Sequence, residues 1–241
     1  MSSNRSFVPT AATLANLGAG MLAVVLAVEG RADFGALMVL AAMLFDSADG
    51  ALARAFDACS DFGGELDSLA DMVSFGAAPG ILVVACVPES LRLLGSVAAV
   101  AMALCAALRL ARYNVGKEEK TYTEIFNGMP TTAAGGCVAA TVLLQGVLAQ
   151  QGLEMSIIFV PWLALIFAVL MISNLSYPHI GVFLGKLPTP LAVMLAGVLV
   201  LAPLVWVHEA VFFTCFYTYA FSGPVLTVHE KVKAHHQANI G

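Results

Sequence analysis

The stretch DSADGALARAFDACSDFGGELDSLAD, residues 46–71, holds eight ionisable side chains within a chain that is otherwise almost continuously apolar. Seven of the eight are acids, and Arg54 is the only base among them. One arginine leaves most of these acids unpaired, whereas ionisable residues among apolar spans are costly and usually serve a function. The stretch therefore indicates a functional site rather than a set of structural ion pairs.

Four of the aspartates have the spacing of helix faces. Asp46 and Asp49 lie three residues apart, and Asp67 and Asp71 lie four apart, so each pair shares one face of a helix. Like charges in a low dielectric cannot all ionise unless cations hold them, and carboxylate oxygens suit hard divalent metals. We predict that the four carboxylates converge from two helices and bind Mg²⁺ or Mn²⁺, with two ions more natural than one.

Composition places this site in a membrane protein. The chain has 241 residues, of which 60% are hydrophobic and 11% charged, which is too apolar for a soluble domain. We predict one integral membrane domain, residues 1–241, folded as an all-α bundle of about eight transmembrane spans. The predicted spans are residues 9–28, 34–56, 62–87, 91–115, 130–150, 155–173, 187–207 and 210–228, followed by a polar, partly disordered tail at 229–241.

The acidic stretch also carries a resemblance to a known family. Its spacing, D-x2-D-G-x2-A-R-x8-G-x3-D-x3-D, resembles the signature of the CDP-alcohol phosphotransferases. The signature positions are filled without departure by Asp46, Asp49, Gly50, Ala53, Arg54, Gly63, Asp67 and Asp71. The resemblance implies transfer of a phosphatidyl or phosphoalcohol group from a CDP-linked donor to an alcohol, with release of CMP, at two metal ions.

The same resemblance assigns roles within the signature. It implies that Asp71, besides binding metal, is the general base for the attacking hydroxyl. Arg54 can donate to a phosphate oxygen, although a positive-inside anchor is the alternative. The small residues Gly50, Ala53 and Gly63 leave room for the nucleotide, or allow close helix packing, or do both. The implied CDP-binding set is Asp49, Gly50, Ala53, Arg54, Gly63 and Asp67.

Four later segments narrow the resemblance to one branch. MVSFGAAPG (72–80), LRLARYNV (108–115), FNGMPTTAAG (126–135) and MISNLSYP (171–178) resemble the membrane-integral phosphatidylserine synthases. This implies serine as acceptor and CDP-diacylglycerol as donor. A serine carboxylate needs a cation, and Arg109 and Arg112 lie three apart on one helix face, with snorkelling to the interface as the alternative. Weaker candidates for the serine site are Ser74 and Asn127.

The distribution of bases predicts the orientation. With the N-terminus in the cytosol, nine bases fall on that side and two, Arg31 and Arg92, on the other, as the positive-inside rule requires. The nine are Arg5, Arg54, Arg109, Arg112, Lys117, Lys120, Lys186, Lys231 and Lys233. We therefore expect a protein of the cytoplasmic membrane whose acidic site faces the cytosol, within reach of a soluble nucleotide.

Other functions remain to be weighed. A sister enzyme that uses glycerol phosphate or inositol phosphate would need a denser basic cluster, and an archaeal ether-lipid donor stays open. A divalent-metal transporter could use the four aspartates, but it would need alternating access and has no reason for the fixed glycines of the signature. The partners implied are CDP-diacylglycerol, L-serine and membrane lipid, without nucleic acid, and a homodimer stays open.

Overall fold

The computed structural model describes residues 3–55, 60–118, 125–152, 157–178 and 209–238. These residues form a bundle of helices with one short pair of strands. The elements are α1 Ser3–Val28, α2 Ala32–Ala55, α3 Asp61–Asp71, a π-helix Met72–Ala77, α4 Ala78–Cys86, a 3₁₀ turn Glu89–Leu91, α5 Arg92–Glu118, β1 Ile125–Asn127, α6 Thr131–Gln150, α7 Phe159–Ile172, β2 Ser176–Pro178 and α8 Glu209–Ala238.

Among the described residues, five helical segments are long and apolar enough to cross a membrane. They are Pro9–Val28, Ala32–Ala53, Asp61–Cys86, Glu89–Val115 and Thr131–Gln150, and each overlaps one of the first five predicted spans. The apolar helix α7 is shorter, at 14 residues. The predicted span at 187–207 lies outside the described residues, and the one at 210–228 lies within α8. The helical membrane class is confirmed, whereas the count of eight spans is not.

Lipid-facing and buried surfaces differ in side-chain size. Leu93 and Leu104 of α5 are 80% and 60% exposed, as expected of a helix that faces lipid. The buried core is rich in alanine, including Ala78 and Ala134, so the helices approach one another closely. A Cβ on Gly135 of α6 would lie 2.9 Å from the Cα of Phe75, so glycine is required for this contact.

The third span is not a regular helix. Directly after Asp71 the chain forms the π-helix, whose residues Ser74, Phe75 and Gly76 are buried. Single π-helical turns are rare and are frequent at functional sites. This one packs against α1, α5 and α6, so it lies where several helices meet.

Two features differ from the sequence-based expectation. Strands β1 and β2 pair antiparallel, with Phe126 opposite Tyr177, which adds a short ladder to the predicted all-α fold. Three-residue strands are too short to give a period-2 signal. Helix α8 continues to Ala238, so the tail predicted to be polar and partly disordered is helical to that residue. Residues 229–238 contain no glycine or proline, and adding them to an existing helix needs no new nucleus.

Candidate active site at one end of the bundle

Three of the four predicted metal ligands form a compact cluster. Asp46 and Asp49 lie near the C-terminal end of α2, and Asp67 lies in α3. Each offers one carboxylate oxygen, and these three oxygens lie within 4.8 Å of one another. Asp49 is buried, with 6% of its surface exposed, and the other two are partly buried. The predicted convergence from two helices therefore holds for these three residues.

The fourth aspartate lies at the edge of the cluster. Asp71 is the last residue of α3 and is 8% exposed. Its side chain is in hydrogen-bonding contact with Asp46. Two ionised carboxylates side by side repel each other, and a proton or a cation between them relieves this repulsion. Asp71 is thus joined to the three-residue cluster through Asp46.

The cluster fits a hard divalent cation. Oδ2 of Asp49 is buried and has no hydrogen-bond partner among the described residues. A buried carboxylate oxygen without a donor is costly, whereas Mg²⁺ and Mn²⁺ take just such oxygen ligands. The donor set of Asp46, Asp49 and Asp67 therefore suits a divalent metal.

Helix α1 contributes two polar side chains that sequence reasoning missed. The hydroxyl of Thr13 lies beside Asp49 and donates to the carbonyl oxygen of Pro9 over 3.2 Å. Asn16 donates a hydrogen bond from Nδ2 to Oδ1 of Asp71 over 3.1 Å. Both residues belong to TLAN, residues 13–16, and their i,i+3 spacing puts them on one face of a mainly apolar span. That polar pair was the available signal.

Ser74, which was predicted to belong to the serine-binding site, connects the π-helix to α1. It is fully buried, and its hydroxyl donates to the backbone carbonyl oxygen of Asn16 over 3.0 Å. The contact depends on Gly20, because a Cβ there would collide with the hydroxyl oxygen of Ser74. The observed role of this hydroxyl is therefore to fix the backbone at Asn16.

The first turn of α6 forms another wall of the site. Arg109 donates from Nη1 to Oγ1 of Thr131 over 2.9 Å, and Thr132 lies close to Asp46. Arg109 also interacts electrostatically with Asp71. Backbone amides at a helix N-terminus add partial positive charge. The structure thus brings an arginine and a helix N-terminus beside the aspartates.

The other predicted serine-site residues lie elsewhere. Arg112 is exposed, and its Nη1 donates to the carbonyl oxygen of Ile172 over 3.4 Å, at the C-terminal end of α7. Asn127 is exposed in β1, where it pairs with Ser176 of β2. Of the two arginines, Arg109 is the one that contacts the first turn of α6.

The predicted nucleotide residues follow the aspartates along α2 and α3. Gly50 and Ala53 lie in α2 beyond Asp49, and Gly63 lies in the first turn of α3, where its N–H donates to the capping Ser60 Oγ over 3.1 Å. The backbone of Arg54 belongs to the last turn of α2. Its side chain lies outside the described part of the structure, so its predicted phosphate contact is not observed.

Comparisons with known proteins support the family resemblance found in the sequence. The model of the CDP-alcohol phosphatidyltransferase family matches residues 6–172. The protein named CDP-diacylglycerol–serine O-phosphatidyltransferase of Bacillus subtilis (strain 168) is 30% identical over 178 residues, which cover 72% of this chain and 91% of that protein. The protein of the same name from Mycobacterium tuberculosis (strain ATCC 25618 / H37Rv) is 36% identical over 145 residues, 58% of this chain and 50% of that protein.

An archaeal protein is also similar. The archaetidylserine synthase of Methanothermobacter thermautotrophicus is 32% identical over 178 residues, which cover 71% of this chain and 70% of that protein. The match thus extends over nearly the whole Bacillus protein but about half of the mycobacterial one.

Proposed function

Because this chain belongs to the CDP-alcohol phosphatidyltransferase family, we propose that it transfers the phosphatidyl group of CDP-diacylglycerol to the hydroxyl of L-serine, giving phosphatidylserine and CMP. Relatives that carry this activity in their names support the acceptor. The observation that carries the proposal is the position of Arg109 and the first turn of α6 beside the aspartate cluster. An acceptor with a carboxylate fits there.

The proposed metal site has two divalent cations, Mg²⁺ or Mn²⁺. Asp46, Asp49 and Asp67 offer the oxygens of one site, and Asp71 extends the ligand set to a second. When bound, such cations neutralise the diphosphate and stabilise the charge that develops on the departing CMP. Support for two ions comes from the number of carboxylates, which exceeds what one small cation with retained waters needs.

The chain's own residues hold and deprotonate the acceptor. The serine hydroxyl oxygen forms a bond to the lipid-bearing phosphorus, and the bridging bond from that phosphorus to the CMP oxygen breaks. The hydroxyl proton passes to Asp71, whose carboxylate is buried and held by Asn16. Fixing the base next to the hydroxyl lowers the entropic part of the barrier.

Arg109 is the proposed carboxylate-binding residue. Its guanidinium is partly buried, it is held at the first turn of α6, and a planar donor pairs well with a carboxylate. The helix N-terminus adds to the attraction for an anion. Arg112 is the weaker candidate because it is exposed and contacts the end of α7. Ser74 and Asn127 have support from the sequence resemblance alone.

The CDP group is proposed to lie along the ends of α2 and α3. Small side chains there leave room for the nucleotide, and Arg54 is the proposed diphosphate contact. The proposed contact set is Asp49, Gly50, Ala53, Arg54, Gly63 and Asp67.

We propose that the site faces the cytosol from the cytoplasmic membrane. Support comes from the nine-to-two distribution of bases. Arg109 and Arg112 lie near the C-terminal end of α5, whereas Arg92, paired with Glu89 over 2.8 Å, lies at its opposite end. CDP-diacylglycerol would enter from the bilayer and serine from the aqueous side.

An ether-lipid donor is the second candidate, because a relative named archaetidylserine synthase is 32% identical. The chemical structure of the lipid product shows which donor and which acceptor the enzyme uses. Purified chain, incubated with Mn²⁺, serine and either CDP-diacylglycerol or CDP-archaeol, should yield a serine phospholipid with the ester donor, identified by mass spectrometry. A product from the ether donor alone would reassign the donor. Products from glycerol phosphate or inositol phosphate, without one from serine, would contradict the proposed function.

A further inference from the structure

In the side-chain amide of Asn16, the nitrogen has a hydrogen-bond partner and the oxygen has none among the described residues. The residue lies inside α1 with none of its surface exposed. Nδ2 donates to Asp71, but Oδ1 is buried and has no hydrogen-bond partner among the described residues. A buried amide oxygen without a donor is costly and calls for an explanation. The unsatisfied oxygen belongs to the same carboxamide that contacts the proposed base.

A hydrogen-bond partner for Oδ1 of Asn16 must be a donor. Turning the Asn16 amide over would place its oxygen against the carboxylate of Asp71, where two acceptors would face each other. The observed orientation is therefore the one that Asp71 dictates. It leaves Oδ1 in need of an N–H or O–H group.

Serine carries such a group at a suitable position. Its hydroxyl must reach Asp71 to lose its proton, and its ammonium lies two carbon atoms from the hydroxyl oxygen. An ammonium has three donors and no acceptor. Asn16 holds the carboxylate that would accept the hydroxyl proton, so the ammonium of a serine bound there would lie within reach of Asn16.

We propose that Asn16 binds the ammonium group of the acceptor through Oδ1, while its Nδ2 holds Asp71. This inference rests on the proposed function, since it takes serine as the acceptor. Three elements then recognise three groups: Asp71 of α3 takes the hydroxyl, Arg109 of α5 the carboxylate and Asn16 of α1 the ammonium. Three such contacts distinguish L-serine from D-serine, in which the ammonium and the carboxylate exchange places.

The backbone around Asn16 is held in place by a hydrogen bond and by close helix packing. Its carbonyl oxygen accepts the hydrogen bond from Ser74 of the π-helix, and Gly20 allows the two helices to approach at that point. The π-helix begins directly after Asp71, so the same contact fixes the base and the proposed ammonium ligand relative to each other. Ser74 acts here as a positioning residue.

The test compares serine with 3-hydroxypropionate, which keeps the hydroxyl and the carboxylate but lacks the ammonium. Wild-type protein should prefer serine roughly tenfold or more, because a hydrogen bond to a charged group is worth about that factor in binding. Where 3-hydroxypropionate is not turned over, its inhibition constant against serine replaces the rate. In Asn16→Ala the preference should collapse towards one. A ratio between two acceptors cancels any general loss of kcat caused by the release of Asp71.

Two further variants separate recognition from structure. Asn16→Asp keeps an oxygen acceptor and should retain the preference for serine even if kcat falls. Thr141→Val removes another buried polar group, the hydroxyl that contacts Tyr217 over 2.8 Å between α6 and α8. It should lower thermal stability without changing the preference.

The outcomes are distinguishable. If wild-type protein does not use serine, both the proposed function and this inference fail. If it does, and Asn16→Ala keeps the full preference over 3-hydroxypropionate, only the inference fails. A higher Mn²⁺ requirement in Asn16→Ala with an unchanged preference would make Oδ1 a metal ligand and would also overturn the inference.

Discussion

Arg109 Nη1 and Thr131 Oγ1 are joined by a hydrogen bond of 2.9 Å, which fixes a guanidinium at the first turn of α6. The bond links α5 to the start of the helix whose next residue, Thr132, contacts Asp46. Positive charge is thereby held beside the aspartate cluster but on a different helix from any of its carboxylates. This separation would let the proposed acceptor lie between the two kinds of charge.

Replacing Arg109 by lysine should weaken serine binding selectively. The change keeps the charge but loses the planar donor, so the serine KM should rise roughly tenfold or more if about 1.4 kcal/mol of a charge-assisted pair is lost. The KM for CDP-diacylglycerol should change little, and initial rates measure both. Arg112→Lys is the matched control and should have a much smaller effect. A native serine KM in Arg109→Lys would remove this residue from the serine site.

Asp67→Asn and Asp71→Asn should each abolish turnover while the protein stays folded. Each change removes a carboxylate that the proposed reaction needs. It also removes one of several mutually repelling charges, which should not destabilise the metal-free protein. CMP release measures the first effect, and thermal unfolding in detergent without divalent cations measures the second. Near-normal rates in either variant would contradict the assigned roles.

Gly20→Ala should disturb the site through packing alone. A Cβ at Gly20 would collide with Ser74, so α1 and the π-helix would have to separate. Overpacking of this kind costs roughly 1–3 kcal/mol, and both the unfolding temperature and kcat should fall. Gly18→Ala is the control, because nothing lies within 4 Å of its added Cβ. Equal effects of the two substitutions would mean that the close approach at Gly20 is unimportant.

Sidedness is testable with reporter fusions. The excess of bases on one side predicts that a reporter inserted at Lys120 and one fused after Gly241 both lie in the cytosol. Paired reporters that are active only in the cytosol or only outside it give the measurement. An external location at either position would reverse the topology or change the number of spans.

The sequence was informative where charge interrupts an apolar pattern. Asp46, Asp49 and Asp67 were predictable as a cluster because their spacing puts carboxylates on helix faces. Thr13 and Asn16 were missed because two uncharged polar residues in a long apolar run are compatible with an ordinary span. The contact of Asn16 with Asp71 also joins positions 55 residues apart. The π-helix after Asp71 was also missed, since its i→i+5 hydrogen bonds leave no compositional signal.

CMP release by purified protein tests the central claim most directly. With CDP-diacylglycerol and Mn²⁺ or Mg²⁺ present, release should depend on L-serine, stop when the metal is chelated and resume when it is restored. Ethanolamine and serine esters, which lack the carboxylate, should be poor acceptors. CMP release that needs no acceptor or no divalent cation, or that proceeds as well with ethanolamine as with serine, would contradict the account of metal-dependent transfer to a carboxylate-bearing alcohol.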